Sequence, residues 1–171
     1  RLGLSLASLC HLAWGQVVAR SSGRERVVFG TVLFGRLHAG AGGDRTMGLF
    51  INTLPLRLDL DGTAVEDSVH HAHARLAELM AHEHASLALA QRCSGVAAPA
   101  PLFSSILNYR HNAMPANSST DQNNAGVHGI EWLGGEERTN YPLMLAIEDY
   151  GQALGLAAQV VHPLSADRIC A

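Results

Sequence analysis

Apolar residues recur along this chain with two periods. Leu2, Leu6, Leu9, Ala13 and Val17 fall at helical spacing, which predicts a helix over 2–20 with that stripe inward, stopped by Ser21-Ser22-Gly23. Val27 to Phe34 is a nearly unbroken run of β-branched and aromatic residues, the pattern of a strand buried on both faces. A Gly-rich loop over 35–46 follows. The segment Gly48–Leu60 is apolar again, and Pro55 marks an edge, a bend or a strand boundary there because it lacks an N–H.

Val65, Val69, Ala72, Leu76 and Leu79 make a second stripe and predict a helix over 63–82, capped by Thr63 with Glu66 three residues on. A short helix is expected over about 85–93 and a small-residue linker from Gly95 to Pro101. Leu102–Tyr109 reads as a strand, 112–126 as a loop and Val127–Leu133 as a short strand. Leu143–Ile147 and Leu154–Val160 alternate around Gly151 and predict an antiparallel hairpin. Pro163 closes it, and Ser165 is placed to cap a last helix. Strands and helices mix irregularly, which favours an α/β sandwich with a mixed sheet and helices on one face.

At 171 residues the chain has the size of one domain. It begins and ends inside expected helices, so it reads as a piece of something longer. A formal charge of −3 lacks the clustered Lys and Arg that a nucleic-acid surface needs. No apolar run reaches the length of a membrane span. Three scattered cysteines without a CxxC suggest neither a zinc site nor a disulfide framework, and fit reduced thiols in a cytoplasmic protein.

Phe29-Gly30 to Gly35-Arg36 (FG-x-x-x-x-GR), followed by MGLFINTLPLR with Gly48, Phe50, Asn52 and Thr53 as G-x-F-x-N-T, resembles two consecutive motifs of the condensation domains of nonribosomal peptide synthetases. HEHASLALAQ (82–91) and PLFSSILNY (101–109) resemble two later motifs in the same order. The resemblance implies a chloramphenicol-acetyltransferase-like α/β sandwich, one lobe of a two-lobed domain, with residues 1–171 as a C-terminal lobe truncated at both ends. It implies a bacterial-type synthetase that joins a carrier-bound peptidyl thioester to a carrier-bound aminoacyl thioester. No cofactor is bound directly; the substrates ride on phosphopantetheine. The implied partners are the N-terminal lobe, donor and acceptor peptidyl carrier proteins and an adjacent adenylation domain, with no nucleic acid and no membrane. An epimerization domain of the same superfamily and a non-catalytic carrier-docking lobe are the alternatives.

The family's catalytic signature is HHxxxDG. His70-His71 carries its first two residues, but Arg75 and Leu76 stand where Asp and Gly belong, and the pair lies within a helix. No catalytic residue is therefore assigned, and the isolated chain is expected to be inactive. His70 and His73 lie one turn apart, but neither the H-E-x-x-H pattern nor a third ligand accompanies them, so no metal is assigned. The substrate-channel candidates are Arg36, Asn52, Phe50 and His82. Arg36 is a charge following a buried strand, Asn52 an amide within an apolar run that needs partners, and Phe50 and His82 belong to the family motifs.

Overall fold

A computed structural model describes residues 3–35, 47–111 and 138–171. The elements are α1 (Leu6–Ser22), β1 (Arg26–Leu33), β2 (Asn52–Asp59), α2 (Val65–Met80), α3 (Leu87–Cys93), β3 (Ser105–His111), β4 (Leu143–Asp149), β5 (Leu154–Val160) and α4 (Ala166–Cys170). The strands form one mixed sheet in the order β2-β1-β3-β4-β5. β1, β3 and β4 run parallel, and the two outer strands run against them. The expected 143–160 hairpin is β4–β5. Pro55 sits on the edge strand β2, opposite Gly30, where a missing donor is tolerated. The Val127–Leu133 strand and the 112–126 loop lie outside the described residues.

Successive residues of a strand face opposite ways, and the two sides of this sheet differ. Leu107, Leu145 and Ile147 point to the main core, with Phe29, Leu56 and Leu58 from β1 and β2, Leu12 and Trp14 from α1, and Val69 and Ala72 from α2. Ile169 and Cys170 of α4 join the margin of that cluster. Ile106 and Met144 point the other way, into a small cluster with Phe103 that Leu87 of α3 helps to cover. On that second side a Cβ at Gly30 would stand 2.7 Å from Ile106 Cγ2 and collide with the Phe103 ring, so the ring packs directly on the β1 backbone.

Five expectations fail locally. The inward face of α1 is not its aliphatic stripe: Leu6, Leu9 and Val17 are 40%, 48% and 40% exposed. Ser8, His11, Leu12, Trp14 and Gly15 are buried instead. The reason is close approach, since a Cβ at Gly15 would lie 2.8 Å from Leu58 Cδ1, and Ser8 and His11 on this face find partners. Ser5 caps the helix, its side chain accepting from the Ser8 N–H, so α1 begins later than expected; Gly23 ends it at φ 66°. Thr63 does not cap α2: Ala64 occupies the cap position, and the Thr63 hydroxyl donates to Asp61 instead. Ser165 likewise makes no side-chain cap bond to α4. β1 is buried on both faces only in part, since Val28 is 36% exposed.

Candidate functional site

The carboxyl ends of three parallel strands meet at one end of the sheet, the place where open α/β sheets gather ligands. Leu33 of β1, His111 of β3 and Asp149 of β4 lie there. The antiparallel partners put Asn52, opposite Leu33, and Leu154, opposite Asp149, at the same end.

Asn52 organises one side of this end. Its Nδ2 donates to the carbonyls of Glu83 (2.9 Å) and Ala85 (2.7 Å), and its Oδ1 accepts from the Thr53 N–H (2.9 Å). One half-buried amide thus fastens the segment after α2 to the first residue of β2. It joins the G-x-F-x-N-T motif to HEHASLALAQ, two stretches some thirty residues apart in the chain. Phe50 packs against Gly35, whose φ of 68° and proximity to the Phe50 backbone leave no room for a side chain.

Beside the clamp is a cavity of about 410 Å³ between α1, α2 and the ends of β1 and β3. Leu33, Phe34, Leu76 and Met80 make its apolar wall, and His11, Glu83, Tyr109 and His111 are its polar groups. His11 is buried and fully committed. Its Nδ1–H donates to the Ala7 carbonyl (2.6 Å), so its Nε2 accepts from the Thr31 hydroxyl (2.6 Å). Burial pushes its pKa down, and the ring remains a neutral strut between α1 and β1. The Glu83 carboxylate is buried and lies 3.7 Å from His84 Nε2.

At the far rim Asp149 Oδ2 accepts from the Tyr109 hydroxyl (2.5 Å) and from His111 Nδ1 (2.8 Å), and Oδ1 accepts from the Gly151 N–H (2.8 Å). The Tyr109 bond, then the His111 bond, then the backbone bond hold the Asp149 carboxyl down at about 2. Desolvation, followed by the bond to that carboxylate, pushes the Tyr109 phenol up.

Of the four residues singled out in the sequence, three are described, and no one cavity or groove is lined by all of them. Asn52 is the clamp, and Phe50 is half-buried against Gly35. His82 is exposed and lines a separate polar groove with Arg57, Arg75 and Glu78. Arg36 lies outside the described residues. His70 and His71 are exposed on α2, away from the cavity, while His73 is half-buried with Nδ1 2.9 Å from Ser8 Oγ. Sequence reading missed His11, Tyr109, His111 and Asp149. Tyr109 and His111 share a face at spacing two, but their link to Asp149 depends on the β3–β4 register, which no local pattern encodes. Among the described residues no group of three or more His, Cys, Asp or Glu side chains is placed to hold a metal ion, and no helix is long and apolar enough to cross a membrane.

The condensation-domain family model matches residues 2–159. The chain belongs to the condensation-domain family. It is 60% identical to malpinin synthetase and 55% identical to malpibaldin synthetase, both of Mortierella alpina, over 99% of its own length. It spans only 2% and 3% of those synthetases. Bacitracin synthase 3 of Bacillus licheniformis is 30% identical over 139 residues, which cover 81% of this chain and 2% of that one, so the relatives do not single out a bacterial type. In fold, this condensation-family chain matches the first condensation domain of the calcium-dependent antibiotic synthetase, solved with a substrate analogue. The TM-score is 0.67 at 19% identity, over 99% of this chain and 38% of that one. The condensation domain of the monacolin K polyketide synthase matches with a TM-score of 0.61 at 20% identity, over 88% of this chain and 34% of that one. The mixed sheet with its helices is thus the chloramphenicol-acetyltransferase-like fold of this family.

Proposed function

We propose that this chain is the C-terminal lobe of a condensation domain in a nonribosomal peptide synthetase, and that it forms one wall and the floor of the reaction channel. The domain joins a peptidyl thioester to an aminoacyl thioester. Both are delivered on phosphopantetheine arms by donor and acceptor carrier proteins, beside an adenylation domain of the same cytoplasmic synthetase. One observation carries the reading. Segments resembling the family's motifs meet at the carboxyl end of the sheet: β1 ends there, Asn52 ties β2 to the segment after α2, and β3 supplies the rim of the cavity. HHxxxDG occurs nowhere in the sequence. The signature's histidines therefore belong to the N-terminal lobe, and this lobe positions the acceptor.

The test is single-turnover condensation by the whole domain with both carriers loaded. Asn52→Ala and Arg36→Ala should each slow bond formation in a domain that still melts cooperatively. Wild-type rates in both variants would remove the channel-wall assignment.

A further inference from the structure

The cavity rim holds a histidine with one nitrogen bound and, among the described residues, no partner on the other. Asp149 is anchored from two sides, by the Tyr109 hydroxyl and the Gly151 N–H, before His111 is counted. The carboxylate, held at about 2, is ionised near neutrality and can only accept. The 2.8 Å contact to His111 Nδ1 therefore fixes the proton on Nδ1. In the neutral ring that leaves His111 Nε2 as the acceptor nitrogen. His111 and Asp149 are the last register pair of β3 and β4, so the two side chains emerge together where the sheet ends.

The ring lines the cavity and is 61% exposed in its side chain, so it meets both the cavity and bulk water. The other cavity histidine is no competitor, since both nitrogens of His11 are engaged. Among the described residues, the groups facing His111 are Tyr109 on its own strand, Asp149 on β4, and Glu83 and His11 across the cavity. Arg110 and Glu148 pair at 2.8 Å from the intervening positions, on the other face of the sheet.

We infer that His111, oriented by Asp149, is the base that takes a proton from the ammonium group of the incoming acceptor. This rests on the condensation reading above. An aminoacyl acceptor carries an α-amine with a pKa near 8, so only about a tenth of it is the free base at pH 7. The ammonium gives one proton to Nε2, and the imidazolium formed is stabilised by the ionised Asp149. The freed amine lone pair then forms the C–N bond as the C–S bond breaks. The nitrogen's surplus proton goes to the departing thiolate, and the exposed imidazolium returns its own to water.

His111→Gln in the whole condensation domain tests the assignment, because Gln keeps an N–H for Asp149 and loses the base. With both carriers loaded, the single-turnover rate at pH 7 should fall about tenfold, matching the free-amine fraction, and the deficit should close by about pH 9. An aminooxyacetyl acceptor, whose nitrogen is unprotonated at neutral pH, should react at the wild-type rate. An equal loss with both acceptors at every pH would reduce His111 to a structural residue and overturn the inference, as would no loss at pH 7. In either case the condensation reading stands, because the wild-type domain condenses. A wild-type domain that forms no amide bond overturns both.

Discussion

Replacing Asn52 isolates the clamp between two motifs. Asn52→Ala removes three hydrogen bonds and leaves the carbonyls of Glu83 and Ala85 without the donor they share. A typical bond of this kind contributes about 1 kcal/mol net, so full loss would cost about 3 kcal/mol. The site is half-buried and water can reach part of it, which lowers the expectation to about 2 kcal/mol. That is a sizeable share of the roughly 5–15 kcal/mol that holds a domain folded. Asn52→Asp is the sharper probe. It keeps the shape and one acceptor for Thr53, but points a carboxylate oxygen at two carbonyls 2.7 and 2.9 Å away. Asp should therefore destabilise more than Ala, although it is closer to Asn in size. Thermal and urea unfolding would read both, with Asn52→Ala lowering the melting temperature by about 4–8 °C for a domain of this size. If Asn52→Ala lies within about 0.5 kcal/mol of wild type, or Asn52→Asp is the milder change, the clamp is not what holds the segment after α2.

Gly30→Ala places a methyl against Phe103 and Ile106 and should cost about 1–3 kcal/mol by overpacking, measured in the same unfolding experiments; a neutral result would show that the Phe103 ring can move aside. Replacing both His70 and His71 with Ala should change stability by no more than about 0.5 kcal/mol per site and leave condensation intact, because both side chains are exposed on α2; loss of activity in a folded double variant would return them to the chemistry. Asp149 has a folded pKa of about 2, below its ordinary value of 3.8, so the unfolded chain binds its proton first as the pH falls. The stability it contributes is present above about pH 4 and is lost as the pH drops towards about 2, so acid titration followed by circular dichroism should show Asp149→Asn losing less over that window than wild type.

The fold was legible where burial follows a simple period. The strand runs, the hairpin around Gly151 and the edge position of Pro55 all follow from alternation and backbone chemistry. The face of α1 was not. Counting aliphatic positions selects Leu6, Leu9 and Val17, whereas the sheet accepts the side carrying Ser8, His11 and Gly15. Small residues allow close approach there, and hydrogen bonds from His11 and Ser8 offset the burial of polar groups. The site divides in the same way. Asn52 stood out as an amide in an apolar run and does need its partners. His82 stood out only by its motif, and its side chain faces a different groove. The Tyr109–Asp149–His111 group required the pairing of two strands separated by more than thirty residues, information carried by tertiary register alone.

The most direct test of the channel-lobe account is amide-bond formation between loaded donor and acceptor carriers, measured for this 171-residue chain alone and for the intact condensation domain that contains it. The account predicts product from the intact domain and none above background from the chain alone, which has no HHxxxDG. Turnover by the chain alone at the rate of the intact domain would contradict it.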